Sequence, residues 1–219
     1  MNVMIFGATG MVGQGVLREC LLDAQVAQVL SVGRNAAGTR DPKLRERVHA
    51  NLFNYTGLDH ALSGFDACFF CLGVSSVRMT EHDYAHLTYD LTMAAARTLA
   101  PLNPQMTFVY VTGTGTDSTE HGRTMWARVK GKTENALLKL PFKAAFMFRP
   151  GIIQPLHGIR SKTRLYQFFY SALGPLLSLA RAVAPKHITT TEQVGRAMIA
   201  VARRGYPKPV LENPDINSL

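Results

Sequence analysis

Three glycines at three-residue spacing, Gly7, Gly10 and Gly13, stand between a short apolar run and an apolar-periodic stretch, and nothing else in the chain restricts its fold as much. Val3-Met4-Ile5-Phe6 reads as a buried strand and Met11 to Leu22 as a helix, so the glycines occupy a strand-to-helix turn. Such a turn needs positive φ, and a side chain there blocks a phosphate from the backbone N–H groups at the positive helix end. In this context the loop Gly7-Ala8-Thr9-Gly10-Met11-Val12-Gly13 predicts a dinucleotide pyrophosphate held by Gly7, Thr9, Gly10, Met11 and Val12.

Further apolar runs, Val26 to Val32, Ala67 to Leu72, Phe108 to Val111 and Ala145 to Phe148, read as buried parallel strands. Helical stretches alternate with them at His82 to Leu99 and Met125 to Leu140. The order predicts an α/β fold, a doubly wound parallel sheet of the Rossmann kind. At 219 residues and 47% hydrophobic, the chain suits one domain spanning 1–219. The alternation fades after Pro150. A helix at Thr191 to Arg203 and a short Val210-Leu211 strand follow, which makes roughly 151–219 the expected substrate side.

A formal charge of +9 is compatible with nucleic acid, an anionic membrane or a phosphorylated ligand. The basic residues are scattered and form no nucleic-acid motif, so nucleic acid is not expected as a partner. Leu165 to Ala184 is broken by Gln167, Gly174, Pro175 and Arg181; it is a poor membrane span, and peripheral contact through Tyr166 to Arg181 is the weaker alternative. Three cysteines make an odd number, and no secretory signal is visible at the start, so a cytoplasmic setting is expected. Cys68 and Cys71 form a C-x-x-C, but three-residue spacing along a strand sends the two thiols to opposite faces, and no metal site is expected.

About 20 residues past the glycine loop, NAD-binding strands carry an acid for the ribose hydroxyls. Here the sequence reads Ser31-Val32-Gly33-Arg34, with no Asp or Glu. Arg34 can instead pair with a 2′-phosphate, which favours NADP(H) over NAD(H).

The segments GATGMVG, SVGR, DACFFCLG, VTGTGTD, KGKTE and FRPGII together resemble atypical short-chain dehydrogenases/reductases of the Tat-interacting-protein-like type, over nearly the whole chain. The resemblance implies that Asn51-Leu52 lies near the adenine, Cys71-Leu72-Gly73 beside the adenosine ribose, and Pro150-Gly151-Ile152 at the nicotinamide end. It also implies a Ser or Thr at the end of the fifth strand and a Tyr-x-x-x-Lys pair on the next helix as the catalytic group. Lys130 matches, and Thr112 or Thr114 supplies the hydroxyl, with Thr112 the first choice. The helix Glu81 to Ala100 forms dimers in related enzymes; core packing is the simpler reading, and monomer and homodimer both stay open.

The chain departs from that pattern at Trp126, which stands where the tyrosine belongs. An indole N–H donates a hydrogen bond but cannot act as a general acid or base in the useful pH range. Three readings follow: another group or the substrate supplies the proton, the helix register is offset, or the protein binds dinucleotide without turnover. His121, Tyr84 and Tyr89 are the alternative proton donors. The function expected is an oxidoreductase or epimerase-like enzyme acting on a small carbonyl or hydroxyl substrate; the alternative is a dinucleotide-binding redox sensor or scaffold.

Overall fold

The computed structural model describes residues 1–159 and 186–219; the Tyr166 to Arg181 segment considered for membrane contact lies outside them. The chain begins with β1 (Asn2–Phe6), α1 (Met11–Leu22), β2 (Gln28–Gly33), β3 (Leu44–Val48), the short α2 (Asp59–Leu62) and β4 (Ala67–Phe70). A long helical stretch follows in three parts, α3 (Glu81–Ala85), a π-helical turn (His86–Asp90) and α4 (Leu91–Leu102). β5 (Thr107–Val111), α5 (Met125–Leu137), β6 (Ala144–Arg149) and β7 (Ile152–Gln154) precede β8 (Ile188–Thr190), α6 (Thr191–Arg204), β9 (Val210–Glu212) and α7 (Asn213–Asn217).

Seven strands form one parallel sheet in the order β3-β2-β1-β4-β5-β6-β9, and β7 pairs with β8 in a separate parallel ribbon. The strand order reverses between β1 and β4. Beyond the carboxyl ends of those two strands, a sheet of this type opens a crevice. This is the doubly wound Rossmann-type α/β fold expected from the alternation of strands and helices.

Both faces of the sheet are covered, which is why its strands read as continuous apolar runs. Val3 and Ile5 pack with Val16 and Leu17 of α1 and Val194 and Met198 of α6. Met4 and Phe6 point the other way, into a second core with Met93 and Leu99 of α4 and Leu137 of α5. The C-x-x-C divides in the same manner: Cys68 belongs to the second core, and Cys71 packs against the first. Thr190 starts α6, its hydroxyl accepting the Gln193 N–H at 2.9 Å.

Two features depart from the sequence reading. β3, Leu-Arg-Glu-Arg-Val, is an edge strand that is exposed from Arg45 to Val48 and packs on the core through Leu44. Charges on an edge strand guard its open hydrogen-bonding side, and they also erase the apolar signature. The helix expected from His82 to Leu99 carries the π-helical turn His86–Asp90 within it.

Burial pushes the Cys20 and Cys68 thiols well above their ordinary range and Cys71 up to about 12; the Tyr55 and Tyr110 phenols also rise. In the unfolded chain these thiols ionise from pH 9 upward, while in the folded chain they hold their protons, so folding stability falls as pH rises past that point. Lys130, whose ammonium is pulled down to about 8, acts in the opposite sense from that pH upward, as one group against six once the Tyr84 phenol is added. The unfolding free energy from urea titrations should therefore be lower at pH 11 than at pH 9.

Candidate functional site

The glycine loop is built as a cradle. Gly7 has φ +82°, and a Cβ there would stand 2.9 Å from the carbonyl carbon of Cys71 and the nitrogen of Leu72. A Cβ on Gly13 would fall 2.0 Å from the Gly7 carbonyl oxygen. These two glycines let α1, the loop and the end of β4 close on one another. Gly10 caps α1 without a side chain, and the first turn contains no acid. The positive end of a twelve-residue helix is thus left open, as anion binding requires.

A cleft of about 860 Å³ runs from this helix end across the carboxyl edge of the sheet. Among the described residues it is lined in turn by Gly10–Val12, Cys71–Val77, Thr112–Thr114, Trp126 with Lys130, Pro150–Ile153 and His187. A smaller hollow of about 70 Å³ lies on the other side of the loop, between Gly7–Thr9, Ser31–Asn35, Leu52 and Leu72. No acidic side chain lines either space among the described residues. Arg34, exposed at the mouth of the hollow, forms no ion pair among the described residues. Asn35 beside it carried no sequence signal.

Of the residues singled out from sequence, Gly10, Met11, Val12, Cys71, Gly73, Lys130, Pro150, Gly151 and Ile152 line the cleft, Gly7, Thr9, Arg34 and Leu52 line the hollow, and Leu72 touches both. Asn51 lines neither. Its side-chain oxygen accepts the Phe53 N–H at 3.0 Å and shapes the turn after β3.

Thr112 borders the cleft, and its buried hydroxyl donates to Glu134 Oε1 at 2.6 Å, with the Phe148 carbonyl 3.1 Å away. The exposed hydroxyl on this stretch is that of Thr114, which makes only a longer bond to the Arg149 carbonyl at 3.2 Å. Lys130 Nζ donates to the Thr112 carbonyl at 2.6 Å. Burial lowers the ammonium to about 8, with Glu134 acting in the other direction.

Trp126 lines the cleft together with Lys130, one helical turn away. Four residues apart on α5, both reach the same space from one side of the helix. Gly131 lets this helix approach so closely: a Cβ there would overlap the Asp117 carbonyl oxygen at 1.8 Å. Among the alternative proton donors Tyr84 reaches the cleft, buried and with its phenol pushed up by that burial. Tyr89 lies in another groove under Lys132, and His121 is exposed outside the cleft. No group of His, Cys, Asp and Glu among the described residues is arranged to hold a metal ion.

No protein-family model matches the chain. It is 25% identical over 202 residues to "Protein fmp52-2, mitochondrial" of Aspergillus oryzae, covering 91% of this chain and 85% of that protein. To "Protein HTATIP2" of Rattus norvegicus it is 26% identical over 155 residues, 69% of this chain and 62% of the relative. Its fold superposes with a TM-score of 0.67 on a short-chain dehydrogenase/reductase superfamily protein from Agrobacterium tumefaciens with bound NAD. That match is 13% identical and covers 97% of this chain and 77% of the other. The chain is thus similar over most of its length to the fmp52 protein of Aspergillus oryzae, and its fold is shared with solved structures of the short-chain dehydrogenase/reductase type. The cytoplasmic setting does not stand, because the fungal relatives are named mitochondrial. Reduced thiols suit any reducing compartment, so the cysteines could not separate the two.

Proposed function

We propose that this relative of the atypical short-chain dehydrogenases/reductases binds NADP(H) along the cleft and works as an oxidoreductase or epimerase-like enzyme on a small carbonyl or hydroxyl compound. The observation that carries the reading is the Gly7 and Gly13 cradle before the uncapped, acid-free N-terminus of α1. In this reading Gly10, Met11 and Val12 receive the pyrophosphate and Leu52 and Leu72 sandwich the adenine side. Arg34 receives the 2′-phosphate, since no carboxylate competes for the ribose among the described residues of that hollow. When bound, the dinucleotide supplies a two-electron reducing equivalent at its nicotinamide end. Lys130 offers a charged donor to the ribose beside that end, and Pro150-Gly151-Ile152 closes the wall behind it.

In this reading Thr114 orients the reacting oxygen of the substrate, and Lys130 Nζ is a proton-bearing group bordering the same space. Ile152, Ile153 and His187 border this part of the cleft, which makes the region from about 151 to 219 the substrate side. A second reading is favoured by Trp126: a protein that binds the dinucleotide as a redox sensor or scaffold. Incubation with NADPH and a panel of aldehydes, ketones and quinones separates the two. Turnover is expected, and Lys130→Ala should lower it by about a hundredfold or more. Saturable NADPH binding with no turnover across the panel would favour the sensor.

A further inference from the structure

One helical turn beyond Lys130 on α5, beneath the cleft, sits a buried carboxylate that the KGKTE segment contains and to which the proposed function assigns no task. Glu134 is 1% exposed. It accepts the Thr112 hydroxyl at 2.6 Å and Arg149 Nε at 3.1 and 3.2 Å, and Arg149 Nη2 completes the fork. Arg149 reaches on to Ser118 Oγ at 2.5 Å and Glu212 at 3.3 Å.

Thr112 is the link between this buried pair and the cleft. Its N–H donates to the Phe148 carbonyl at 2.8 Å, its hydroxyl to Glu134 at 2.6 Å in preference to the same carbonyl at 3.1 Å, and its own carbonyl accepts Lys130 Nζ at 2.6 Å. The acceptor that holds Lys130 is therefore itself held by Glu134. On the far side, the carbonyls of Arg149 and Pro150 accept the Thr114 hydroxyl at 3.2 Å and the Thr114 N–H at 2.9 Å. The pair braces both walls of the nicotinamide end. Tyr84 from α3, Cys71 after β4 and His187 before β8 also border the cleft, and Glu134 is the carboxylate acting on the ammonium.

We propose that Glu134, backed by Arg149, is the positioning residue of this cleft: through Thr112 it fixes where the Lys130 ammonium stands. What the ammonium serves rests on the function proposed above; how it is held does not. A carboxylate one turn away favours the protonated amine, so its removal lowers the pH at which Lys130 loses its proton.

Competitive acetylation of the nucleotide-free protein with trace acetic anhydride, read by peptide mass spectrometry across pH, gives the Lys130 midpoint directly. Wild type should titrate near 8, and Glu134→Gln should fall by about one pH unit. NADPH affinity of that variant should match wild type near pH 6 and be weaker by about fivefold near pH 8, a split that a purely structural role does not produce. An unmoved midpoint, or an affinity loss equal at both pH values, overturns the proposal. If Glu134→Gln does not fold, Glu134→Gln/Arg149→Met leaves neither charge buried alone. Its midpoint should fall by less, and no fall at all is equally fatal. Should wild type fail to bind NADPH, the proposed function is lost while the acetylation midpoints still judge the positioning.

Discussion

Gly13→Ala is expected to abolish NADPH binding and to cost about 3 kcal/mol of stability, because the new methyl group arrives 2.0 Å from the Gly7 carbonyl oxygen. Neither partner is free to yield: Gly13 is held in α1, and Gly7 is pinned between that helix and the end of β4. The helix must move away from the sheet, taking the open N–H groups of its first turn with it. Gly10→Ala is the graded companion, since its methyl group would stand 3.3 Å from the same oxygen and should weaken binding without abolishing it. Urea unfolding and NADPH titration of both variants check the order. Wild-type affinity in Gly13→Ala would remove the physical basis for the cradle.

The second large effect is expected at Arg34. Replacement by Asp should weaken NADPH binding by about a hundredfold and leave NADH binding unchanged or improved, because a charge-assisted contact is lost and an acid is placed where ribose hydroxyls are read. Arg34 is exposed and makes no hydrogen bond or ion pair among the described residues, so this change should leave stability intact and isolate the contact. Parallel titrations with the two nucleotides measure it. An unchanged ratio of affinities would take the 2′-phosphate away from Arg34.

The parts of this protein that were legible in sequence are those governed by local spacing. The glycine loop, the α5 face shared by Trp126 and Lys130, and the threonine start of α6 each depend on neighbours within about one helical turn. What escaped depends on partners brought from far along the chain. The resemblance makes Thr112 the reacting hydroxyl, yet the direction of that hydroxyl is set by Glu134, 22 residues later. Glu134 is in turn fixed by Arg149 on β6. β3 carried its charges outward on an edge, and β7 and β8, three residues each, are too short to display an alternating pattern.

The central claim is that a nicotinamide dinucleotide lies along the cleft with its reactive end beside Trp126. This residue is the one tryptophan in the chain. Exciting it while NADPH is added should give saturable energy transfer to the nicotinamide, displaced by NADP⁺, weaker with NADH and absent in Gly13→Ala. Tryptophan emission that stays constant through the titration, with no nucleotide bound at equilibrium, would contradict the account.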